Sequence, residues 1–333
     1  MAGIADIAKA AGVSTAVVSR VINGDSTLRI AEETRKRVLR IAEEHDYAPN
    51  SAASSLRSSH SGLIAMVVHD VTNPVYAEIL SGAQHQATLQ GQAILISEAS
   101  ALDNQASRLL RLIGGRGVDG LILQSVGQLS DTALARAARK KIPTVLLQTE
   151  LDADATLLTL PDIEAAELAT QHLIDLGHAR IGCLATREGL TFTQNRVEGW
   201  QTALHAAGLE VENSALEFAD PAIDDGRMMA RKILEANPDL TGLVCCNAVS
   251  AIGALEAASQ MQIDVPNQLS IVAIHDIEMA RHLRIPLTTV KMPLFEMGVR
   301  AIEMLSGSQS VSAGRVAITE QPVLVERSST RVL

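Results

Sequence analysis

Aromatic side chains make up only 2% of the 333 residues, so any core must be built from Ala, Val, Ile and Leu. Cysteine is equally scarce. Cys183, Cys245 and Cys246 do not form a disulfide framework, and the adjacent pair sits in an apolar run that reads as a strand. Three thiols in that setting suit a reducing cytoplasm. No apolar run approaches the ~18 residues needed to span a membrane; the longest, residues 63–68, is strand-sized. The start of the chain lacks a basic region followed by an apolar one, so no signal peptide is expected. Positive charge is also in short supply: the net charge is -10, which excludes wholesale nucleic-acid binding. Its distribution is uneven, with eight Lys/Arg against seven Asp/Glu in residues 1–60, which leaves that segment at +1 and the remainder at -11. DNA binding cannot rest on so small an excess. There is no P-loop, no G-x-G-x-x-G after a strand, no G-x-S-x-G elbow and no H-E-x-x-H. The nine His are scattered without paired metal spacing. Neither an enzyme, nor a metal site, nor a cofactor is therefore expected.

What is present begins with two short helical segments. Ile4, Ile7, Ala8 and Ala11 share one face of the first. Gly12-Val13-Ser14 breaks it: Gly12 can adopt the left-handed conformation, Val13 is an apolar plug, and Ser14 is a good N-cap. The second runs from Thr15 to about Val21, with Val17, Val18, Val21 and Ile22 available for burial, and Asn23-Gly24 closes it. Two helices joined by a tight Gly-containing turn form a helix-turn-helix, whose second helix brings its N-terminal residues to base edges in the major groove. The exposed positions there are Thr15, Ala16, Ser19 and Arg20, with Ser14 and Asn23 at the two ends. Arg20 can pair bidentately with guanine, and Thr15 and Ala16 can touch the thymine methyl. A third helix, from about Ala31 to His45, packs Val38, Leu39, Ile41 and Ala42 on the first two. A three-helix bundle without a DNA role is the alternative.

Tyr47-Ala48-Pro49-Asn50 ends that bundle, and a Ser-rich segment with one apolar bead follows. Asn50 or Ser51 can cap a helix of about eight residues, too short to form without a partner surface. Leu56 then serves as a minor-groove wedge and Arg57 as a phosphate ligand; a flexible linker is the competing reading. The ordered series Ile7-Ala8-Lys9-Ala10-Ala11-Gly12-Val13-Ser14, Val17-Val18-Ser19-Arg20-Val21-Ile22-Asn23-Gly24, Glu33-Thr34-Arg35-Lys36-Arg37-Val38 and Tyr47-Ala48-Pro49-Asn50 resembles the head of the LacI-type repressors. One departure is Ala31, where the family usually places Ser or Thr. Losing that N-cap hydroxyl typically costs ~1 kcal/mol.

From Gly62 onward strands and helices alternate, which gives a doubly wound sheet. The strands fall at 62–68, 92–97, 120–124 and 143–147. The alternation restarts with a helix at 163–176 and strands at 180–185, 242–246 and 270–274, so two lobes of similar architecture are expected. Residues 287–290 and 297–301 return the chain to the first lobe. The resemblance extends here through Asp70-Val71-Thr72-Asn73-Pro74, Gly117-Val118-Asp119-Gly120, His172-Leu173-Ile174-Asp175-Leu176-Gly177-His178 and Pro286-Leu287-Thr288-Thr289-Val290. It implies a periplasmic-binding-protein-like core. The expected organisation is an all-α helix-turn-helix head (1–47), a hinge (48–60), and an α/β core of two doubly wound lobes (61–333). Lobe one spans about 61–159 and 291–326, and lobe two about 160–290.

Ligands of open α/β sheets bind beyond the carboxyl ends of the strands. The candidates there are Asn73, Val75, Tyr76, Ser125, Phe192, Arg196, Asn247, His275 and Asp276. Tyr76 and Phe192 can stack on a ring, and Arg196 can donate two parallel hydrogen bonds; each also has an ordinary reading as core or surface pair. Arg196 and Asn247 fall on positions where the resemblance implies ligand contact. Where relatives commonly carry acids, this chain has Ala248 and His275. A pocket that keeps Arg196 and gains a His titrating near pH 6.5 favours an anionic effector, such as a sugar acid or sugar phosphate, over a neutral sugar. The expected function is thus a repressor that binds palindromic double-stranded operator DNA as a homodimer under small-molecule control. No C-terminal heptad run suggests a tetramer. A nucleoside or purine sensor, or a sugar receptor without a DNA role, is the alternative.

Overall fold

The computed structural model describes residues 3–22, 24–25, 27–47, 60–98, 102–126, 129–151, 154–307 and 314–333. They fall into two compact units, Met1–Ser61 and Gly62–Leu333.

The first unit contains α1 (Ile4–Ala11), α2 (Thr15–Ile22) and α3 (Glu32–Glu44). Asp6 accepts the Gly3 amide across the first turn of α1 at 2.8 Å. Gly12 ends α1 at φ 63°, a left-handed conformation that a side chain would oppose. Ser14 Oγ accepts the Val17 amide at 3.3 Å and starts α2. Ile7, Ala8, Ala11, Val18, Val21, Val38, Ile41 and Ala42 form the core, with Val13 and Tyr47 packed at its margin. Leu39, expected in that core, is 47% exposed. It lies one position off the stripe set by Val38, Ile41 and Ala42, and helical pitch turns it outward. Arg37 Nε donates to Ala11 O at 3.1 Å, tying α3 to the end of α1.

The second unit is built on two six-stranded sheets. The first has the order β11-β5-β4-β3-β1-β2. Its strands are β1 (Leu63–Val68), β2 (Ala93–Glu98), β3 (Gly120–Gln124), β4 (Thr144–Leu147), β5 (Thr156–Thr159) and β11 (Arg315–Ala317). The second has the order β12-β10-β9-β8-β6-β7. It is formed by β6 (Ile181–Ala185), β7 (Leu216–Phe218), β8 (Gly242–Cys245), β9 (Ser270–Ile274), β10 (Thr288–Lys291) and β12 (Val323–Val325). Every pairing is parallel except β10 with β12. Helices α4 (Val75–Leu89), α5 (Leu102–Gly114), α6 (Leu129–Arg139) and α11 (Leu294–Leu305) pack with the first sheet. Helices α7 (Asp162–Asp175), α8 (Thr191–Ala206), α9 (Ile223–Ala236) and α10 (Ala248–Gln260) belong with the second. The inner strands β3, β4, β6, β8 and β9 are buried throughout, as helices on both faces of a parallel sheet require.

The chain crosses between lobes three times: after β5, after β10 and before β12. Residues 287–290 therefore belong to lobe two, and α11 makes the return to lobe one. That return closes on α4 through Gly298 and Gly82, where an added Cβ would collide with the carbonyls of Ile79 and Phe295. The expected end of lobe one near residue 326 also shifts, because Val323–Val325 hydrogen-bonds to β10 in the second sheet. The short strands β5, β7, β11 and β12 carry too few residues to show a period, and they are specified by their neighbours. Among the described residues, no helix is long and apolar enough to cross a membrane.

Ala31 sits at the N-cap of α3 with extended φ/ψ and no side-chain hydrogen bond, although Glu32 and Glu33 complement the helix dipole. Ala31→Ser is expected to stabilise the head by ~1 kcal/mol. Hydrogen exchange on the full chain should show the first α3 amides slowed roughly fivefold. Unchanged exchange would mean that the acidic first turn already satisfies this end.

Candidate functional site

Two surfaces carry the candidate residues, one in each unit. In the head, Ser14, Thr15, Ala16 and Arg20 are exposed and Ser19 is half-exposed, all on the face of α2 opposite Val18 and Val21. Arg20 is held back on the following turn. Its Nε donates to Asp25 Oδ2 at 2.6 Å, and a terminal nitrogen donates to Thr27 Oγ1 at 2.9 Å. Asp25 also accepts the Thr27 hydroxyl and amide; these bonds, with the Arg20 contact, lower its carboxyl to about 2. Arg20 therefore braces the turn as well as facing outward, and bidentate pairing with guanine requires it to leave this clamp. Asn23, Asn50, Leu56 and Arg57, with the hinge at 48–59, lie outside the described residues.

In the second unit, a cavity of ≈ 350 Å³ opens at the carboxyl ends of the strands of both sheets. Asn73, Val75, Tyr76, Phe192, Arg196, Asn247 and His275 all line it, as the strand-end rule anticipates. Asn73 Oδ1 accepts the Val75 amide at 3.1 Å in the turn that leads into α4, and Asn247 Oδ1 accepts the Val249 amide at 2.8 Å, capping α10. Both Asn side chains use the oxygen on their own helix, which leaves the Nδ2 amides for a ligand acceptor. Burial, then the nearby Asp70 carboxylate, push the Tyr76 phenol far above its usual range, so it stays a neutral hydroxyl.

Two expected residues are not in the cavity. Ser125 is buried beneath it, donating to Asp131 Oδ2 at 2.6 Å and accepting Thr149 Oγ1 on its carbonyl at 2.7 Å. Its chain neighbours Gln124 and Val126 reach the cavity instead. Asp276 faces a separate hollow of ≈ 440 Å³. There it pairs with Arg327 at 2.8 Å and accepts Thr289 Oγ1 at 2.7 Å, bracing β9 against β10 and the C-terminal segment.

Arg196 is the largest correction. It is 2% exposed and already fully engaged. Its Nε and a terminal nitrogen reach Asp162 Oδ1 at 2.8 and 2.7 Å, and another donates to Cys246 O at 2.6 Å. Asp162 Oδ2 accepts Gln148 Nε2 at 3.1 Å. Burial pushes the Asp162 carboxyl up, while the guanidinium charge and these hydrogen bonds pull it down. The Phe192 ring lies 5.3 Å from the guanidinium carbon. His275 Nε2 stands 3.3 Å from Arg196. Burial, and then the Arg196 charge, hold that imidazole well below its ordinary value, so it is neutral near pH 7. The cation expected at His275 is absent, and Arg196 is not free for an anion.

The strand-end rule also reaches residues not singled out before. His69 and Asp70 follow β1, Glu98 ends β2, Gln148 follows β4, and Arg187 and Asp220 follow β6 and β7. Arg187 holds Asp220 through two bonds of 2.7 and 2.8 Å, which lower the Asp220 carboxyl and raise the guanidinium. Asp162 carried no such signal, since it acts beneath the cavity and not in its wall. Among the described residues, no group of three or more His, Cys, Asp or Glu is placed to hold a metal.

The profile describing bacterial regulatory proteins of the lacI family matches residues 3–50. The profile describing periplasmic binding proteins and the sugar binding domain of the LacI family matches residues 61–322. The chain is 31% identical to the HTH-type transcriptional regulator DegA of Bacillus subtilis, over 99% of this chain and 98% of that one. It is 32% identical to the HTH-type transcriptional repressor PurR of Pasteurella multocida, over 99% of each. The lac repressor dimer bound to operator and the anti-inducer ONPF superposes with a TM-score of 0.83 at 24% identity over 99% of each chain, a likeness of fold.

The neutral His275 has a consequence for stability. In the unfolded chain its imidazole takes up a proton as pH falls through ~6.5, whereas the buried ring refuses it, so acid favours unfolding. Urea unfolding at about pH 7.5 and about pH 5.5 should show wild-type stability falling with acid, and His275→Asn losing less. Equal losses in the two proteins would place the ring in a less buried setting.

Proposed function

The chain belongs to the LacI family of bacterial regulatory proteins, and from that premise we propose the following reading of its two surfaces. The protein is a DNA-binding repressor that reads a palindromic operator through α2 and answers to a neutral, sugar-like effector held between its lobes. It works in the cytoplasm and as a regulator, not as a catalyst. The observation that carries this is the pairing, in one chain, of an outward α2 face with a cavity at the meeting strand ends. The exposed Thr15, Ala16 and Arg20 with half-exposed Ser19 supply base contacts, and Leu56 and Arg57 are assigned to the minor groove and to phosphate.

The anionic effector is set aside in favour of a neutral one. Arg196 and Arg187, the Lys/Arg side chains lining the cavity, are each paired, with Asp162 and Asp220. Asp70 and Glu98 add carboxylates to the same wall. Such a cavity repels a ligand carboxylate or phosphate but accepts hydroxyl donors. The apolar faces of Tyr76 and Phe192 suit the C–H face of a sugar ring.

The test is retardation of a duplex selected from random sequence by the full chain. The wild type should shift the selected duplex and release or tighten it when a neutral sugar is added. At 100 times its dissociation constant, that sugar should add ~2.7 kcal/mol in thermal unfolding. Arg20→Ala should cost ~1–3 kcal/mol per half-site on the selected duplex and little on scrambled DNA. Equal weakening on both would remove Arg20 from base reading.

A palindromic operator calls for two heads, hence a homodimer. Support comes from β2, an edge strand whose Leu95 and Ile96 are 38% and 46% exposed, next to Leu89 at the end of α4, 69% exposed. An apolar edge of this kind invites pairing with a second copy. Ile96→Glu should convert a micromolar dimer to monomer in sedimentation and lower operator affinity, with effector binding retained. A dimer of unchanged stability would move the interface elsewhere.

A further inference from the structure

Arg187 and Asp70 reach the cavity from different lobes. Arg187 lies in the loop that follows β6 in the second sheet, and Asp70 in the loop that follows β1 in the first. Arg187 meets Asp220 along one edge of its guanidinium, through Nε at 2.7 Å and Nη2 at 2.8 Å. A guanidinium carries five N–H donors in a planar fork, and this pairing uses two of them. The other edge, with one N–H on each terminal nitrogen, is left over. Nη1 has no partner among the described residues, and it is not sealed from solvent, since the side chain is 35% exposed.

Asp70 is the complement. Its Oδ1 accepts the Thr72 amide at 2.8 Å and the Thr72 hydroxyl at 2.6 Å. Its Oδ2 carries no bond among the described residues and is likewise open to solvent. Both side chains act on one phenol: burial raises Tyr76 most, Asp70 raises it further, and Arg196 and Arg187 lower it. The cavity thus sets free donors of lobe two and a free acceptor of lobe one near the same hydroxyl. When a ligand displaces water there, each of these groups needs a new partner. An ether oxygen serves Arg187 alone. A carboxylate serves Arg187 and repels Asp70, and an ammonium does the reverse. A hydroxyl accepts from one and donates to the other. Two parallel N–H groups on the fork match two neighbouring oxygens.

We propose that Arg187 and Asp70 clamp a vicinal diol of the effector, its two oxygens accepting from the free edge of Arg187 and one of its hydroxyls donating to Asp70 Oδ2. This deepens the sugar-like reading and rests on it. Asp220 offsets the Arg187 charge from the other edge, which favours neutral hydroxyls over an anion at this place. Because the clamp takes one side from each lobe, the diol also ties the lobes together.

The test is calorimetry on the full-length chain. D-glucose, D-galactose, D-xylose, D-ribose and cellobiose are titrated first, and the tightest of these probes is then compared with its monodeoxy analogues. The wild type should lose roughly tenfold or more in affinity at two adjacent ring positions. In Arg187→Met the same two replacements should cost less than about threefold, because the hydroxyls have already lost their donors. Arg187→Lys keeps the charge without the fork and should stay sensitive at one of the two positions at most. Asp70→Asn keeps an oxygen for Thr72 and removes the free acceptor, so it should blunt the loss at one position or both. Thermal unfolding of each variant, run in parallel, separates lost contact from lost folding. Sensitive positions that are not adjacent, or equal losses in the wild type and in either Arg187→Met or Asp70→Asn, overturn the clamp and leave the sugar-like reading in place. Failure of all these sugars to bind removes that reading, and the proposal with it.

Discussion

The floor of the cleft depends on one buried ion pair, Arg196 with Asp162, both almost fully removed from water. Burying two charges is costly, and the mutual attraction offsets that cost only when the remaining lone pairs and protons are satisfied. Here they are. Asp162 is the first residue of α7, where the helix dipole favours a carboxylate. Gln148 reaches it from the end of β4, and Arg196 extends from α8 to the carbonyl that follows β8. The pair thus fixes four elements relative to one another, and breaking it by removing one partner would leave an uncompensated charge worth ~3–5 kcal/mol. Such a device adds less to stability than a hydrophobic replacement would; its effect is to hold the strand ends in one arrangement.

The consequence for ligand chemistry is indirect. Because Asp162 satisfies Arg196, the guanidinium is part of the wall and not an anion receptor. Because His275 is buried, and next because Arg196 is charged and close, the imidazole stays neutral. The polar wall that remains consists of carboxylates, amides and a neutral imidazole, set against Tyr76, Phe192 and aliphatic side chains. Gln148 comes from the first lobe, so the same network joins the two sides of the cleft. Lys291, at the end of β10, approaches Glu78 of α4 at 3.7 Å and makes a second polar link. A ligand that alters either link alters the relation of the lobes, and couplings of that kind are typically ~1–3 kcal/mol.

In the head the same economy of charge appears on a smaller scale. The pitch of α2 turns Arg20 outward, and there it ties down the turn with Asp25 and Thr27. The energetic value of so exposed a pair is small, so the side chain can exchange this clamp for another partner at little cost. The core beneath α2 is independent of that exchange, since Ile7, Val18, Val21, Val38 and Ile41 pack on the opposite face.

What the sequence by itself determined is local and periodic. Apolar spacing set α1, α2 and most strands of both sheets; Gly12 and Ser14 set the turn; and the strand-end rule placed seven of the nine proposed cleft residues on the cavity. It failed where the period was misjudged by one position, as at Leu39, or where the chain turns aside, as at Ser125 and Asp276. It could not see β5, β7, β11 and β12, of three or four residues each, which are specified by the neighbours that supply their hydrogen bonds. Only the tertiary structure decided the charge state of the cleft. The partners of Arg196 lie 34 residues before it in Asp162 and 79 after it in His275. No spacing rule joins residues so far apart. Their meeting depends on the folding of the second lobe, which brings the start of α7, the helix α8 and the end of β9 together, and with it comes the neutrality of His275.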